Sequence, residues 1–215
     1  MPTNTLSTAR PTDAAVPPEL PEQATAPPPS TAGPVTARNL PAPEKLGQGW
    51  RTYVDPGGAE MGFLGNQTWT RSREAHQAAY EALPVGCANP LPSGSLPVPE
   101  HALQGSYRTA GNGPATVLLL RFGEPEKASS YYKGYQARMS ACGAGAAGLM
   151  VDRLWSEDAA AASVRRYTGA EVYVEVSVLR GSTVALLAAE SSDPAGQVGW
   201  THRVAPELMA VIDQP

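Results

Sequence analysis

The 215-residue chain is poor in the residue types that bind metals or act as thiol nucleophiles. It has two cysteines, Cys87 and Cys142, and three histidines, His76, His101 and His202. Neither cysteine belongs to a CxxC pair, and no base stands near Cys142 in the sequence to activate its thiol. The sequence therefore predicts no metal site, no cofactor and no catalytic residue.

Basic residues are also scarce. Lys and Arg together number 16 against 20 Asp and Glu, which gives a formal net charge of -4. Binding to a phosphate backbone requires clustered basic side chains, and only Arg165 and Arg166 are adjacent. The composition argues against nucleic acid as a partner.

Long apolar runs are missing as well. No stretch approaches the roughly 20 apolar residues that span a bilayer, and no basic region with an apolar run follows Met1. We therefore predict no membrane insertion by the chain as given. A Pro- and Ala-rich leader ahead of a compact domain would remain if a signal peptide or membrane anchor had been removed. The other interpretation is a cytosolic protein with a flexible N-terminus.

Proline is unevenly distributed along the chain. Half of the 22 prolines precede Trp50, in a stretch without aromatic residues and with few large aliphatic ones. Such a segment buries too little apolar surface to offset the entropy lost on ordering. We therefore predict a disordered Pro/Ala-rich linker over residues 1–45 and one folded domain over residues 46–215.

The folded part shows alternating helical and strand patterns. Residues 70–83 have helical spacing of small apolar residues, and residues 84–104 are broken by Pro and Gly. Two strands flank the turn signal Asn112-Gly113, and the second contains the apolar run 117–120, which is typical of a central strand covered on both faces. Four further strands and a closing helix over 205–212 follow.

The segment between these two groups of strands is the most informative. After Glu124 and Pro125, apolar and aromatic residues recur at steps of three and four up to Cys142, which predicts an amphipathic helix with Cys142 facing inward. Gly134 in its middle indicates close approach by another element. Together the patterns predict an α+β fold in which an antiparallel sheet packs against two or three helices.

The two cysteines leave two alternatives, a disulfide or a pair of buried thiols. They lie 55 positions apart, Cys87 in the irregular segment and Cys142 at the end of the helix. We favour the disulfide, which would tie the Pro-rich segment to the helix and would favour an oxidising compartment.

Five residues are candidates for ligand binding. Glu171, Tyr173 and Glu175 alternate with valines, so they line one face of a strand that is expected to be half exposed, and Tyr132 and Tyr135 have the rings to stack on a ligand. Each group has an ordinary structural explanation too: a solvated strand face for the first and core packing for the second.

The segment "ATVLLLRFGEPEKASSYYKGYQARMSAC", the strands after it and the closing "GSTVALLAAESSDPAGQVGWTHRVAPELMAVI" resemble the extracellular sensor domain of actinobacterial receptor kinases and lipoproteins, the PknH-like group. The resemblance implies a disulfide-linked α+β domain of the cell envelope with a cleft for a ligand. Members of that group usually have four cysteines and a Trp ahead of the helix cysteine, whereas this chain has two cysteines and Met139 in that place.

Two classes of function are consistent with these features. The first is a non-catalytic extracytoplasmic sensor or ligand-binding domain, secreted or anchored at the cell surface on a flexible stalk, whose partner is a small molecule or cell-wall component. The second is an enzyme or enzyme accessory of hydrolase type, with a site built from dispersed residues such as Glu171, Glu175 and His202.

Overall fold

The computed structural model of the protein describes residues 27–54, 66–87, 90–142, 148–167, 169 and 171–212. Within them the chain forms four helices and eight strands. The helices are α1 Pro43–Leu46, α2 Ala75–Glu81, α3 Pro125–Cys142 and α4 Val198–Val211. The strands are β1 Arg51–Thr52, β2 Thr70–Arg73, β3 His101–Arg108, β4 Pro114–Arg121, β5 Leu149–Ser156, β6 Ala160–Tyr167, β7 Val172–Arg180 and β8 Thr183–Glu190.

All eight strands belong to one antiparallel sheet. Its order is β1-β3-β4-β8-β7-β6-β5, and β2 pairs with the same edge of β3 as β1 does. The hairpin between β3 and β4 turns at Asn112, whose φ of 69° is the left-handed conformation that an Asn-Gly turn favours. β4 lies between β3 and β8, and its residues Val117 and Leu119 are fully buried, which confirms the predicted central strand.

Helices cover both faces of this sheet. On one face lie α2 and α3, which share a core with Leu120, Phe122 and Leu186. On the other face lie α4 and the segment that leads into α1, which share a core with Leu119 and Val176. The predicted α+β class with an antiparallel sheet and helices packed against it is confirmed.

Helix α3 is buried along the stripe that its sequence predicts. Its inward face carries Tyr131, Tyr132, Tyr135, Met139 and Cys142, each no more than 2% exposed. Every tyrosine ring brings a hydroxyl that must find a partner, and Tyr131 donates to the Ala79 carbonyl of α2 at 2.9 Å. The helix therefore joins α2 to the sheet as well as covering it.

Cys87 and Cys142 form a disulfide, which settles the alternative left by the sequence. The bond joins the end of α3 to the irregular segment that follows α2. The Gly86 carbonyl on that segment also accepts a hydrogen bond from the Leu149 amide of β5 at 2.9 Å. A disulfide and a backbone hydrogen bond at adjacent residues thus hold the irregular segment against the end of α3 and against β5.

The predicted linker over residues 1–45 is wrong for its last part. Ala32, Val35 and Leu40 are buried against the sheet, and the Tyr107 hydroxyl donates to the Pro41 carbonyl at 2.9 Å. The sequence offers few apolar side chains with which this segment could bind to the domain. The sheet face that they cover is apolar, however, and the prolines of the segment reduce the conformational entropy that it loses on ordering. Residues 1–26 lie outside the described residues, so the linker prediction for them stands untested.

Two predicted helix boundaries also differ from the structure. Residues 70–73 form strand β2 instead of the start of a helix, because they pair with β3 and the Glu74 carboxylate caps α2 by accepting from the amides of His76 and Gln77. The closing helix begins at Val198, earlier than predicted, and contains Pro206 in its interior. The loss of one helical hydrogen bond at a proline is offset by the burial of Val204 and Leu208 around it.

Candidate functional site

An open apolar groove of about 420 Å³ lies between α2, α3 and the irregular segment after α2. This volume falls within the roughly 300–1,000 Å³ typical of small-molecule sites. The walls come from three sources: the outer face of α2, the segment itself and the middle of α3. Residues that represent them are Tyr80, Val85, Leu96, Val98, Tyr131 and Arg138.

The segment that forms the outer wall is held in place at several points along its length. The disulfide fixes Cys87. Further along, the Arg138 guanidinium donates to the carbonyls of Gly94 at 2.7 Å and Gly134 at 3.1 Å. Leu96 packs over Gly134, where an added Cβ would lie only 2.3 Å from the Leu96 Cδ2 atom. The sequence prediction that Gly134 marks a close approach is confirmed, and the element that approaches is the groove wall.

The groove exposes apolar side chains to solvent. Among the described residues, six large hydrophobic side chains are markedly exposed, and three of them, Tyr80, Val85 and Val98, line this groove at 64%, 54% and 52% exposure. Single exposed apolar residues are ordinary on protein surfaces, but a contiguous set in a concavity marks an interaction site. The groove is therefore the best candidate for a binding site on this face.

A cation lies at the base of this groove. Arg138 is only 8% exposed, and no carboxylate of the described residues lies within ion-pair distance of it. Its two carbonyl partners satisfy part of the fork of five N–H donors. A buried guanidinium without an anionic partner favours a ligand that brings a negative charge.

Tyr132 and Tyr135, predicted as ligand-stacking residues, lie in the core. Both are at most 2% exposed, beneath α3. The Tyr132 hydroxyl donates to the Ser177 carbonyl at 3.3 Å, and the Tyr135 hydroxyl accepts from Arg165 at 3.0 Å. Neither ring can stack on a ligand that enters from solvent, so this prediction is wrong. Their neighbour Tyr131 is the tyrosine of α3 that reaches the groove.

The three candidate residues in and next to β7 differ in their exposure to solvent. Glu171 is exposed just before the strand, Tyr173 is half-buried, and Glu175 is only 6% exposed. The strand was expected to be half exposed, but β7 is paired on both sides and lies between α3 and α4, so Ser177 is buried too. Alternating polar residues here face an interior, not solvent, and the half-exposed prediction is wrong.

Glu175 faces Arg165 of the neighbouring strand β6. The Arg165 Nε atom lies 2.7 Å from a carboxylate oxygen of Glu175, although its N–H does not point at that oxygen well enough to form a hydrogen bond. The terminal nitrogen Nη2 of Arg165 donates to the Ala82 carbonyl at 2.8 Å and to the Tyr135 hydroxyl at 3.0 Å. Arg165 thereby joins β6, α2 and α3, a role that nothing in its local sequence indicates.

Burial shifts the protonation equilibria of this pair. Desolvation raises the pKa of Glu175 to about 8 and lowers the pKa of Arg165 to about 10. Each shift favours the neutral form of its group, as expected when two ionisable side chains are taken out of water.

We expect stability to depend on pH through Glu175. The unfolded chain releases this proton near pH 4.5 and the folded protein near pH 8, so between the two values the folded state holds a proton that the unfolded state has lost. The free energy of unfolding should therefore fall over this window, by an amount of the order of 3–5 kcal/mol. Denaturant titrations of the wild type and of Glu175→Gln between these pH values test this, because the variant lacks the titrating group. Parallel pH profiles for the two proteins would contradict the raised pKa.

The three residues of the dispersed enzyme site do not come together. His202 lies on α4 and stacks on Trp155 with ring centroids 4.5 Å apart, on the sheet face opposite Glu175. Glu171 lies outside both cores. These three side chains therefore do not form one site.

Neither metal nor membrane features stand out in the described parts of the chain. No group of three or more His, Cys, Asp or Glu side chains there is placed to hold a metal ion. None of the helices there combines the length and the apolar character needed to cross a lipid bilayer.

No model of a known protein family matches the sequence, and no curated protein is significantly similar to it. The resemblance to the sensor domains of receptor kinases and lipoproteins therefore stays a prediction from the residues that carry it.

Proposed function

We propose that the protein is a non-catalytic ligand-binding or sensor domain that works outside the cytoplasm. Its disulfide is of the kind that persists in oxidising compartments and is rare in the cytosol. A Pro- and Ala-rich stalk over residues 1–26 would connect the domain to the cell envelope, in the manner of a receptor sensor or a lipoprotein. The resemblance of α3 and its flanking strands to the PknH-like group supports this role.

The apolar groove is the observation that carries the proposal. Its polar base is arranged for binding, since Arg138 is held by two carbonyls and lines the groove. An elongated apolar ligand would cover Tyr80, Val85 and Val98, and an anionic group on it would meet the guanidinium. The ligand class we propose is an amphiphile with an apolar body and a carboxylate or similar anion, such as a lipid or cell-wall component carries.

The disulfide belongs to this function as well as to stability. It fixes the start of the wall segment, so that the groove is formed before a ligand arrives. A preformed site avoids the entropy lost when a loop is ordered on binding. This arrangement fits a sensor that must respond to low concentrations of a small molecule.

An affinity measurement with dodecanoate below its micelle concentration tests the proposal. We expect saturable binding to the wild type in calorimetry and at least about tenfold weaker binding to Val98→Asp, because the variant puts a carboxylate where the acyl chain should lie. Val54→Asp is the matched control, since Val54 is 46% exposed and does not line the groove.

The charge preference is tested with dodecyltrimethylammonium, which has the same chain and the opposite charge. We expect it to bind more weakly than dodecanoate. Equal affinities for the two probes would contradict a role for Arg138, and equal losses in the two aspartate variants would contradict binding in the groove.

One observation favours the alternative, an enzyme or enzyme accessory of hydrolase type. A carboxyl group with a pKa near neutrality, as in Glu175, is suited to general acid–base catalysis. The binding proposal has the broader support, because Arg165 is the one ion-pair partner of Glu175 in the described part of the chain, and His202 lies on the opposite face of the sheet.

A further inference from the structure

A second and smaller cavity lies on the opposite side of α2 from the apolar groove. It has a volume of about 230 Å³ and is bounded by the end of α2 and by strands β2, β3, β4, β6, β7 and β8. The two sites share no lining residue, since alternate faces of α2 contribute to them. The cavity is thus separate from the groove, and its role does not depend on the function proposed for the groove.

The pairing of three strands creates this cavity. Thr116 of β4 lies opposite Ala188 of β8, and Ala188 lies opposite Glu175 of β7, so the three residues form one row across the sheet. Neighbouring strands are about 4.8 Å apart, which separates the outer two residues of the row by about 10 Å. The methyl group of Ala188 between them leaves the hollow open above the sheet.

The walls of this cavity carry polar groups that the protein does not satisfy. Glu175, more than nine-tenths buried, has one carboxyl oxygen near Arg165 and a second without any hydrogen-bond partner among the described residues. The Thr116 hydroxyl and the Gln104 amide nitrogen likewise have no partner there, although the Gln104 Oε1 atom accepts from Arg73 at 2.6 Å. Glu175 is buried, whereas Thr116 and Gln104 are half-buried, and all three groups are free to bond to a molecule that enters the cavity from solvent.

The ionisable groups on the cavity walls lie in pairs. Arg73 lies 2.5 Å from Glu81, and Arg165 lies 2.7 Å from Glu175. Each of these ionisable side chains therefore has a neighbour of the opposite type, so a charged ligand would gain little there. The free groups include an acceptor, a donor and a hydroxyl that can do both, and the floor is apolar at Leu118 and Ala188.

We propose that this cavity is a second binding site, for a small neutral hydroxylated molecule of the polyol or monosaccharide class. Hydroxyl groups of such a ligand donate to the free Glu175 oxygen, accept from the Gln104 amide and exchange a hydrogen bond with Thr116. Its carbon skeleton lies on Leu118 and Ala188. The site is smaller than the roughly 300 Å³ at which drug-sized ligands are accommodated, which limits the ligand to about one sugar ring.

A titration followed by amide chemical shifts in the full-length protein tests this site. The probes are glucose and myo-inositol as neutral hydroxylated molecules, with ethylammonium and acetate as charged molecules of small size. We expect one or both neutral probes to give saturable shifts at the amides of Thr116, Ala188 and Glu175. A response to the charged probes alone, or no saturable response, would overturn the proposal.

Two variants locate the binding and one separates it from the groove. Ala188→Leu fills the hollow and should abolish the shifts, while Thr116→Val keeps the shape, removes one hydroxyl and should weaken binding about tenfold. Val98→Asp, which alters the apolar groove, should leave the affinity for the neutral probe unchanged. If Thr116→Val and Ala188→Leu each bind the neutral probe as tightly as the wild type, the assignment is overturned. A loss of affinity for the neutral probe in Val98→Asp would overturn it as well. If Ala188→Leu does not fold, the affinity of Thr116→Val decides the test alone.

Discussion

Replacing both Cys87 and Cys142 by alanine is expected to lower the free energy of unfolding by about 4 kcal/mol. The disulfide closes a loop with a sequence separation of 55 residues, and opening it returns conformational freedom to the unfolded chain. It also releases the groove wall from the end of α3. Chemical denaturation of the variant and of the oxidised wild type measures the difference.

The reduced wild type is the control for this prediction. Reductant should lower the stability of the wild type to about that of the double alanine variant and should leave the variant unchanged. A wild type that keeps its stability in reductant, with both thiols shown to be free, would contradict the role assigned to the bond. A fall of less than about 1 kcal/mol in the variant would do the same.

Replacing Arg165 by methionine is expected to cost about 3 kcal/mol near neutral pH and more at pH 9. Methionine fills much of the volume of the side chain, but it leaves the Ala82 carbonyl and the Tyr135 hydroxyl without their donor and Glu175 without its ion-pair partner. Because Glu175 ionises above its pKa of about 8, the variant must hold an unmatched buried carboxylate at the higher pH. Denaturation at pH 6 and pH 9 measures both parts.

The double variant Arg165→Met with Glu175→Gln separates these contributions. The double variant should be about as destabilised as Arg165→Met at pH 6. At pH 9 it should not show the additional destabilisation of Arg165→Met, since the glutamine cannot ionise. If the two substitutions are additive at both pH values, Arg165 and Glu175 are not coupled and the description of the pair is wrong.

The sequence was most informative where the conformation of a segment is determined by residues within that segment. Helix α3 could be predicted because its apolar stripe, its acidic first turn and the glycines after Cys142 all indicate the same element. The hairpin at Asn112 could be predicted for a similar reason, since an Asn-Gly pair favours one turn geometry.

Other parts of the fold depend on partners that are distant in the sequence. Strand β2 lies in a stretch with helical spacing, and it becomes a strand because β3 has a free edge there. Ala32, Val35 and Leu40 look like linker residues until the apolar sheet face beneath them is known. The same holds for Glu175, whose alternating pattern is typical of an exposed strand face but is buried in a central strand.

The groove had only indirect signals in the sequence. Gly134 and the two cysteines pointed to an element that approaches α3, but the placement of Leu96 and the contact of Arg138 with Gly94 depend on the path of an irregular segment. Irregular segments follow no periodicity from which their facing residues can be read. The signal that could have indicated a charged group in the groove is Arg138, an arginine on the buried side of the amphipathic helix α3.

The most direct test of the central claim is a dodecanoate titration of the oxidised wild type followed at its backbone amides. Binding in the groove predicts saturable shifts that cluster at Tyr80, Val98 and Arg138, on the three walls around the cavity. Shifts that cluster elsewhere, or an absence of saturable shifts, would contradict the proposal that this groove is the ligand-binding site of an extracytoplasmic domain.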